Sequence, residues 1–124
     1  MMGRTHCLVP AAIAAWLFGP DPTVLLISAG TGLLPDIDEP QSTIGYRLFL
    51  LAKGFKGLVG HRTYSHSLVG IVTAASLAVI FNLPWMWLEA GLIGWVSHLV
   101  LDALSGGVPL WWPLYATNRE RWVL

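Results

Sequence analysis

Charged side chains are scarce in this sequence. Asp, Glu, Lys and Arg make up only 11% of the 124 residues, whereas hydrophobic residues make up 55%, and the mean hydropathy is +0.62. A soluble domain usually carries about 25% charged residues, because its surface must be hydrated. A soluble helical bundle would therefore lack the polar surface to cover its apolar faces. We expect the lipid bilayer as a partner of this surface, and a homo-oligomer is also compatible with it.

The sequence also lacks net charge and has a single cysteine. Seven Lys and Arg balance seven Asp and Glu, so bulk electrostatics predicts no direct nucleic-acid binding. Because Cys7 stands alone, no intrachain disulfide can form, and a reducing compartment is compatible. The length leaves room for one domain over residues 1–124, and no linker-like tract indicates a second.

Four apolar segments cover residues 7–19, 23–34, 67–83 and 85–101. Turn-forming residues separate the first pair at 20–22 and the second pair at 82–84, as is typical of antiparallel helices. We therefore predict an all-α, polytopic membrane bundle of about four transmembrane or re-entrant helices. The last two segments are near bilayer length. The first two reach only about 20 Å against a core of roughly 30 Å, so whether they span fully stays open.

A fifth helix is predicted between the second and third segments. Apolar residues recur there at four-three-four-three spacing, with two lysines on another face, as in a basic amphipathic helix lying in the membrane interface. A connecting helix packed on the bundle accounts for the pattern equally well. The apolar residues are Ile44, Leu48, Leu51, Phe55 and Leu58.

The positions of the cations predict the topology. If the N-terminus is cytoplasmic and all four segments cross, every Lys and Arg falls on the cytoplasmic side, as the positive-inside rule requires. Most tryptophans then lie near one interface or the other, in an aromatic belt. We therefore predict a multi-pass protein of the plasma (inner) membrane with both termini cytoplasmic. The alternative, a secretory signal peptide at residues 4–18, lacks a convincing cleavage site.

Histidine and aspartate are concentrated in four short places. Ionisable groups beside membrane segments are costly, so they are candidates for function. His98 and Asp102 are four residues apart, so on a helix they share a face with Cβ atoms about 5–6 Å apart. In an extended turn, two aspartates at alternate positions point the same way. The seven residues are His6, Asp36, Asp38, His61, His66, His98 and Asp102.

Taken singly, each of these patterns has an ordinary explanation. A helical His–Asp pair is usually a hydrogen-bonded pair, and aspartates in a proline-rich turn usually cap it. The four-pass topology changes the interpretation, because all four places then lie at the inner membrane face. Imidazole and carboxylate together suit a divalent metal, zinc first and manganese or iron where carboxylates dominate. We therefore predict a metal site.

Four motifs resemble the YdjM family of inner-membrane metal-dependent hydrolases. They are LPDIDEP at 34–40, GHRTYSHSL at 60–68, GWVSHLVLDA at 94–103 and GVPLWWP at 107–113, and the resemblance covers residues 33–114. The family is more distantly similar to zinc-dependent phospholipase C. The resemblance implies that the seven residues above are metal ligands or groups directly behind them. The additional motifs of the phospholipases are missing, so one or two ions fit better than three.

The resemblance and the residues together predict hydrolysis of a phosphate ester or related ester by a metal-activated water. Asp38 or Glu39 is the candidate general base. Arg62 is placed to hold an anionic group, although a positive-inside anchor is an equal interpretation. An interfacial site favours a small-molecule or lipid-like substrate. The rival hypothesis is a non-catalytic metal-binding membrane regulator or sensor. A transporter is disfavoured because its ligands should lie near the midplane.

Overall fold

The computed structural model describes residues 3–38, 50, 53–54 and 64–114. Within that part of the chain the regular structure is helical and there is no β-strand, which confirms the all-α prediction. The elements are helix α1 (Gly3–Phe18), helix α2 (Pro22–Thr31), a 3₁₀ turn (Leu34–Asp38), helix α3 (Leu68–Ile80) and helix α4 (Trp85–Ser105).

Helices α1 and α4 are longer than the predicted apolar segments, because polar residues extend each of them at one end. Helix α1 begins at Gly3, ahead of position 7, so that His6 lies within it. Helix α4 continues past position 101 to Ser105, so that Asp102 is still helical. Between α1 and α2 the Asp21 carboxylate accepts hydrogen bonds from the amides of Thr23 (2.8 Å) and Val24 (3.0 Å). This cap satisfies amides that the first turn of α2 cannot bond internally.

The aspartate turn was wrongly predicted as extended. Residues 34–38 form a 3₁₀ turn that follows α2, and with three residues per turn two positions two apart do not share a face. Pro35 is compatible with this geometry, because its ring fixes a φ near −65°. The extended geometry on which that prediction rested is therefore not present in this turn.

Helices α1, α2 and α4 form the core, and α3 packs against α4. Ala14, Val24 and Ala90 are fully buried where the three helices meet. Helix α4 approaches α2 so closely at Gly94 that a Cβ there would overlap Thr31 and the Ser28 carbonyl oxygen. Small residues at such crossings allow helix backbones to approach in membrane proteins.

A second close approach joins α1 to the end of α2. Pro10 has no amide hydrogen, so the carbonyl of His6 receives no helical hydrogen bond from it. Gly32 packs against that carbonyl, and a Cβ at Gly32 would overlap the His6 oxygen and lie 2.8 Å from Pro10 Cγ. The pairing fixes the start of α1 against the segment that leads into the 3₁₀ turn.

One helix of the described residues, Trp85–Ser105, is long and apolar enough to cross a membrane. Pro22–Thr31 and Leu68–Ile80 are apolar but shorter. The polytopic arrangement therefore stays a prediction. The predicted interfacial helix at 44–58 lies outside the described residues except for positions 50, 53 and 54, which are helical.

Candidate metal centre

His98 lies at the centre of a buried polar cluster. It projects from α4 and is completely buried. Its Nδ1 lies 2.7 Å from the carbonyl oxygen of Gly32. A carbonyl only accepts, so Nδ1 carries the hydrogen, and when the ring is neutral its lone pair is at Nε2. The close packing of Gly32 therefore also fixes which nitrogen of His98 faces the cluster.

Asp102 lies one helical turn after His98 on the same face of α4. Its Oδ2 is 3.4 Å from Nε2 of His98 and 3.4 Å from Nε2 of His66, and the residue is only 4% exposed. One carboxylate oxygen therefore faces two imidazoles.

His66 enters the cluster from the turn before α3. Its Nδ1 is hydrogen-bonded to Ser65 Oγ at 3.0 Å, and its Nε2 lies 3.2 Å from Nε2 of His98. The indole of Trp95 donates to the Ser65 carbonyl at 2.9 Å, which ties this turn to α4. Ser67 caps α3 by accepting from the Gly70 amide. Because α3 begins only after this cap, His66 is a turn residue.

Asp36 supplies the fourth side chain from the 3₁₀ turn. Its Oδ1 lies 3.6 Å from Nε2 of His98 and 3.7 Å from Nε2 of His66. The donor atoms of Asp36, His66, His98 and Asp102 all lie within 4.8 Å of one another, and all four residues are buried. Three separate stretches of chain thus contribute to one compact set of two nitrogens and two carboxylates.

His6 adds a fourth stretch of chain to the cluster. Its Nε2 is 3.3 Å from the other oxygen of Asp102, Oδ1, and its ring lies 4.0 Å from the His98 ring, centroid to centroid. Among the described residues, Nδ1 of His6 is buried and has no hydrogen-bond partner. Asp102 therefore has a histidine at each of its oxygens.

The donor set matches what a divalent ion requires. In the neutral ring, a Nε2 lone pair of His98 that faces two carboxylates is electrostatically unfavourable, and either a bound cation or a proton on Nε2 relieves this repulsion. Ligands at 2.0–2.1 Å in a tetrahedron stand about 3.3–3.4 Å apart, and the donor atoms lie 3.2, 3.4, 3.6 and 3.7 Å apart, which is close to that value. Asp36, His66, His98 and Asp102 could hold a metal ion.

Comparison with known proteins decides the family. The family model described as "YdjM inner membrane protein" matches residues 1–124, which is the whole chain. The chain belongs to the YdjM family. The resemblance seen in the four motifs is therefore confirmed.

Two curated relatives of this YdjM-family chain extend the comparison. An uncharacterized protein of Bacillus subtilis, YvsG, is 36% identical over 127 residues, covering 98% of this chain and 78% of its own length. Inner membrane protein YdjM of Escherichia coli is 40% identical over 91 residues, covering 67% of this chain. The match spans only 45% of that YdjM protein. No solved structure gives a significant match. The name of the YdjM family and that of the Escherichia coli relative support a membrane location.

The structure places five of the seven predicted ligands together. These are His6, Asp36, His66, His98 and Asp102. The side chain of Asp38 and the whole of His61, Glu39 and Arg62 lie outside the described residues. The roles assigned to all of these side chains in a YdjM-family protein stay predictions.

Two groups in the centre were not predicted. One is the hydroxyl of Ser65, which is hydrogen-bonded to His66. Because Ser65 directly precedes His66 in the sequence, this adjacency is a signal that could have indicated the contact. The Gly32 carbonyl has no such signal, because any residue carries a backbone oxygen. Its contact with His98 depends on the fold, which places the end of α2 against α4.

Proposed function

We propose that this chain is a membrane-bound metal-dependent hydrolase that cleaves a phosphate ester or related ester with a metal-activated water. The observation that carries the proposal is the fixed tautomer of His98. Its Nδ1 donates to Gly32, so the neutral ring presents its Nε2 lone pair to Asp36, Asp102 and His66 in a buried cluster. Such a backbone partner behind a histidine is the usual arrangement at metal sites.

Zinc is the ion that this donor set favours. Two imidazole nitrogens and two carboxylate oxygens at tetrahedral separations match its ligand preferences, with manganese or iron as alternatives. His66, His98, Asp36 and Asp102 would hold one ion. The other oxygen of Asp102, Oδ1, lies 3.3 Å from Nε2 of His6. These two atoms are compatible with a second ion, which Asp102 would share with the first.

When bound, a divalent ion supplies a water of lowered pKa and neutralises charge that develops on the ester oxygens. The reaction adds one water across the ester: its oxygen bonds to phosphorus, the phosphorus–alcohol bond breaks, and the alcohol leaves with a proton. We assign the general base to Asp38 or Glu39, which stand two and three residues after Asp36 in the chain. Arg62 would hold the anionic phosphate oxygens.

A membrane location brings the substrate to this centre. We propose a multi-pass topology with both termini cytoplasmic. Two turns, between α1 and α2 and between α3 and α4, stand at the ends of the helices away from the cluster. The start of α1, the end of α2, the start of α3 and the end of α4 all reach it. If the helices cross the membrane, the centre lies at the cytoplasmic face.

A second candidate function is a non-catalytic metal-binding membrane regulator or sensor. One observation favours it: all four donors come from the protein and are buried. Structural zinc sites are closed in this way, whereas catalytic sites keep a position for water or substrate. Asp36 is the most exposed of the four residues, at 8%. In the hydrolase, Asp36 is therefore the ligand that water or substrate would replace.

One experiment tests both functions. The protein is purified in detergent, its metal content is measured by mass spectrometry, and bis(p-nitrophenyl) phosphate and p-nitrophenyl esters are assayed with and without chelator. Stoichiometric metal with chelator-sensitive turnover supports the hydrolase. Stoichiometric metal without turnover on any substrate favours the regulator.

A pair of acidic residues on α4 provides the matched variants. Asp102→Ala should abolish metal binding, whereas Glu89→Ala, which removes a carboxylate hydrogen-bonded to Trp85, should retain it. Both variants should still insert into membranes. Unchanged metal content in Asp102→Ala would show that the ligand assignment is wrong.

A further inference from the structure

A groove follows the seam between α1 and α4. It has a volume of about 440 Å³, within the range of small-molecule pockets. Val9 and Ile13 form the α1 side, and a face of α4 between Leu92 and Leu101 forms the other. The groove opens outward, since Val96 is 44% exposed and Val100 is 51% exposed.

The chemistry of the lining restricts the occupant. Seven of its eight residues are aliphatic. The exception is Ser97, whose hydroxyl already donates to the Gly94 carbonyl at 2.9 Å. The lining thus offers no charged group and no unused side-chain donor to recognise a peptide backbone or a sugar, so the groove fits a hydrocarbon chain.

The groove ends at the level of the metal centre on both helices. Val9 follows His6 by one helical turn, and Leu101 is adjacent to Asp102. Because α1 starts and α4 ends at the centre, the groove leads away from it on both helices. From Leu92 to Leu101 it extends about 14 Å at 1.5 Å per residue. A molecule with its head at the centre would therefore have its tail in the groove.

We propose that the groove binds one acyl chain of a phosphate-bearing membrane lipid whose headgroup ester lies at the metal centre. This inference rests on the hydrolase function and names its substrate class. The membrane supplies the occupant, because α4, which forms most of the lining, is the described helix long and apolar enough to cross a bilayer. An outward-opening aliphatic groove on such a helix faces lipid tails.

The test fills the groove and measures lipid binding. Val96→Trp places an indole in it, whereas Val72→Trp makes the same change at a 62% exposed valine on α3, away from the lining. The purified proteins are titrated in nonionic detergent with phosphatidic acid carrying one pyrene-labelled acyl chain. Val96→Trp should weaken binding at least about tenfold, and Val72→Trp should bind like the unmodified chain. Equal affinity in the two variants would overturn the proposal.

Two further measurements separate the lipid from other occupants. Dioleoyl phosphatidic acid should displace the probe, whereas the six-carbon dihexanoyl form should displace it much more weakly. Equal displacement would show that only the headgroup binds, which refutes an acyl site. Light scattering gives the mass of both variants. A dimer that Val96→Trp dissociates, with lipid binding unchanged, would make the groove a contact between copies and would also refute it.

The substrate arm distinguishes this inference from the hydrolase function. In the hydrolase, Val96→Trp should lower turnover of long-chain phosphatidic acid while leaving metal content and turnover of bis(p-nitrophenyl) phosphate unchanged. Equal losses on both substrates, or none on either, would count against the acyl site alone. Absence of metal and of all turnover in the unmodified chain would instead refute the hydrolase function.

Discussion

The imidazoles of His66 and His98 face each other with their Nε2 atoms 3.2 Å apart, and each is held from behind at Nδ1. Ser65 Oγ lies 3.0 Å from Nδ1 of His66, and the Gly32 carbonyl lies 2.7 Å from Nδ1 of His98. The two rings thus present the same nitrogen to Asp36 and Asp102. This centre and the helix packing that builds it lead to three predictions, and a fourth concerns the membrane topology.

Replacing Gly32 with Ala should damage the centre without touching a ligand. The new Cβ would overlap the His6 carbonyl oxygen, so the end of α2 must move and the hydrogen bond to His98 must lengthen. We expect a loss of about 1–3 kcal/mol in unfolding free energy and weaker zinc binding. Gly30→Ala is the matched control, since a Cβ there meets nothing within 4 Å. Thermal unfolding and metal content in detergent check both, and equal behaviour would contradict the packing.

Gly94→Ala should separate α2 from α4. A Cβ at Gly94 would overlap Thr31 and the Ser28 carbonyl, whereas at Gly91 it would lie 3.7 Å from Thr31, an ordinary contact. Because α4 carries both His98 and Asp102, the displacement should lower metal content as well as stability. Gly91→Ala should keep both. If Gly94→Ala melts at the same temperature as the unmodified protein, the α2–α4 crossing is looser than described.

Ser65→Ala should weaken metal binding through His66. The hydroxyl holds the Nδ1 hydrogen of His66 when Nε2 acts as a ligand, and loss of such a partner costs about 10–100-fold in metal affinity. Competition with a zinc chelator measures the dissociation constant. Ser65→Thr should restore much of the affinity, and Ser105→Ala, at an exposed serine of the same protein, should not change it. Unaltered affinity in Ser65→Ala would leave the hydroxyl without a role in positioning.

The topology can be read from two single cysteines in a Cys7→Ser background. Leu83→Cys lies in the turn between α3 and α4, and Leu114→Cys is an 80% exposed position beyond α4. The positive-inside rule places the turn outside and the end of α4 inside. A membrane-impermeant maleimide should therefore label Leu83→Cys in intact cells and Leu114→Cys only after permeabilisation. Labelling of Leu114→Cys in intact cells would reverse the orientation.

Local spacing predicted more than long-range packing did. His98 and Asp102 were expected on one helix face, and they are, because the α-helical repeat brings residues four apart together wherever the helix forms. The turns at Asp21 and Asn82 were recognised for the same reason, since their backbone preferences are local. The family was recognised from motif order and spacing.

These local patterns did not predict which residues contact one another when they are distant in the sequence. The turn that carries Asp36 was expected to be extended but is a 3₁₀ turn. Its form depends on how α2 ends against α1 at Gly32, and the local sequence does not determine that packing. The Gly32 carbonyl behind His98 and the Ser65 hydroxyl behind His66 likewise depend on contacts between distant segments. Such contacts leave no periodicity in the sequence.

The cluster joins His6, near the beginning of the chain, to Asp102, near its end, with the 3₁₀ turn and the turn before α3 in between. During synthesis the ribosome produces these groups in that order, so α1 leaves the ribosome long before its carboxylate partner exists. Until α4 is made and docked, the early histidine and Asp36 have only part of their final surroundings. The set of donor atoms is therefore complete only once α4 is made, and we expect a chain cut before α4 to bind zinc more weakly than the whole chain.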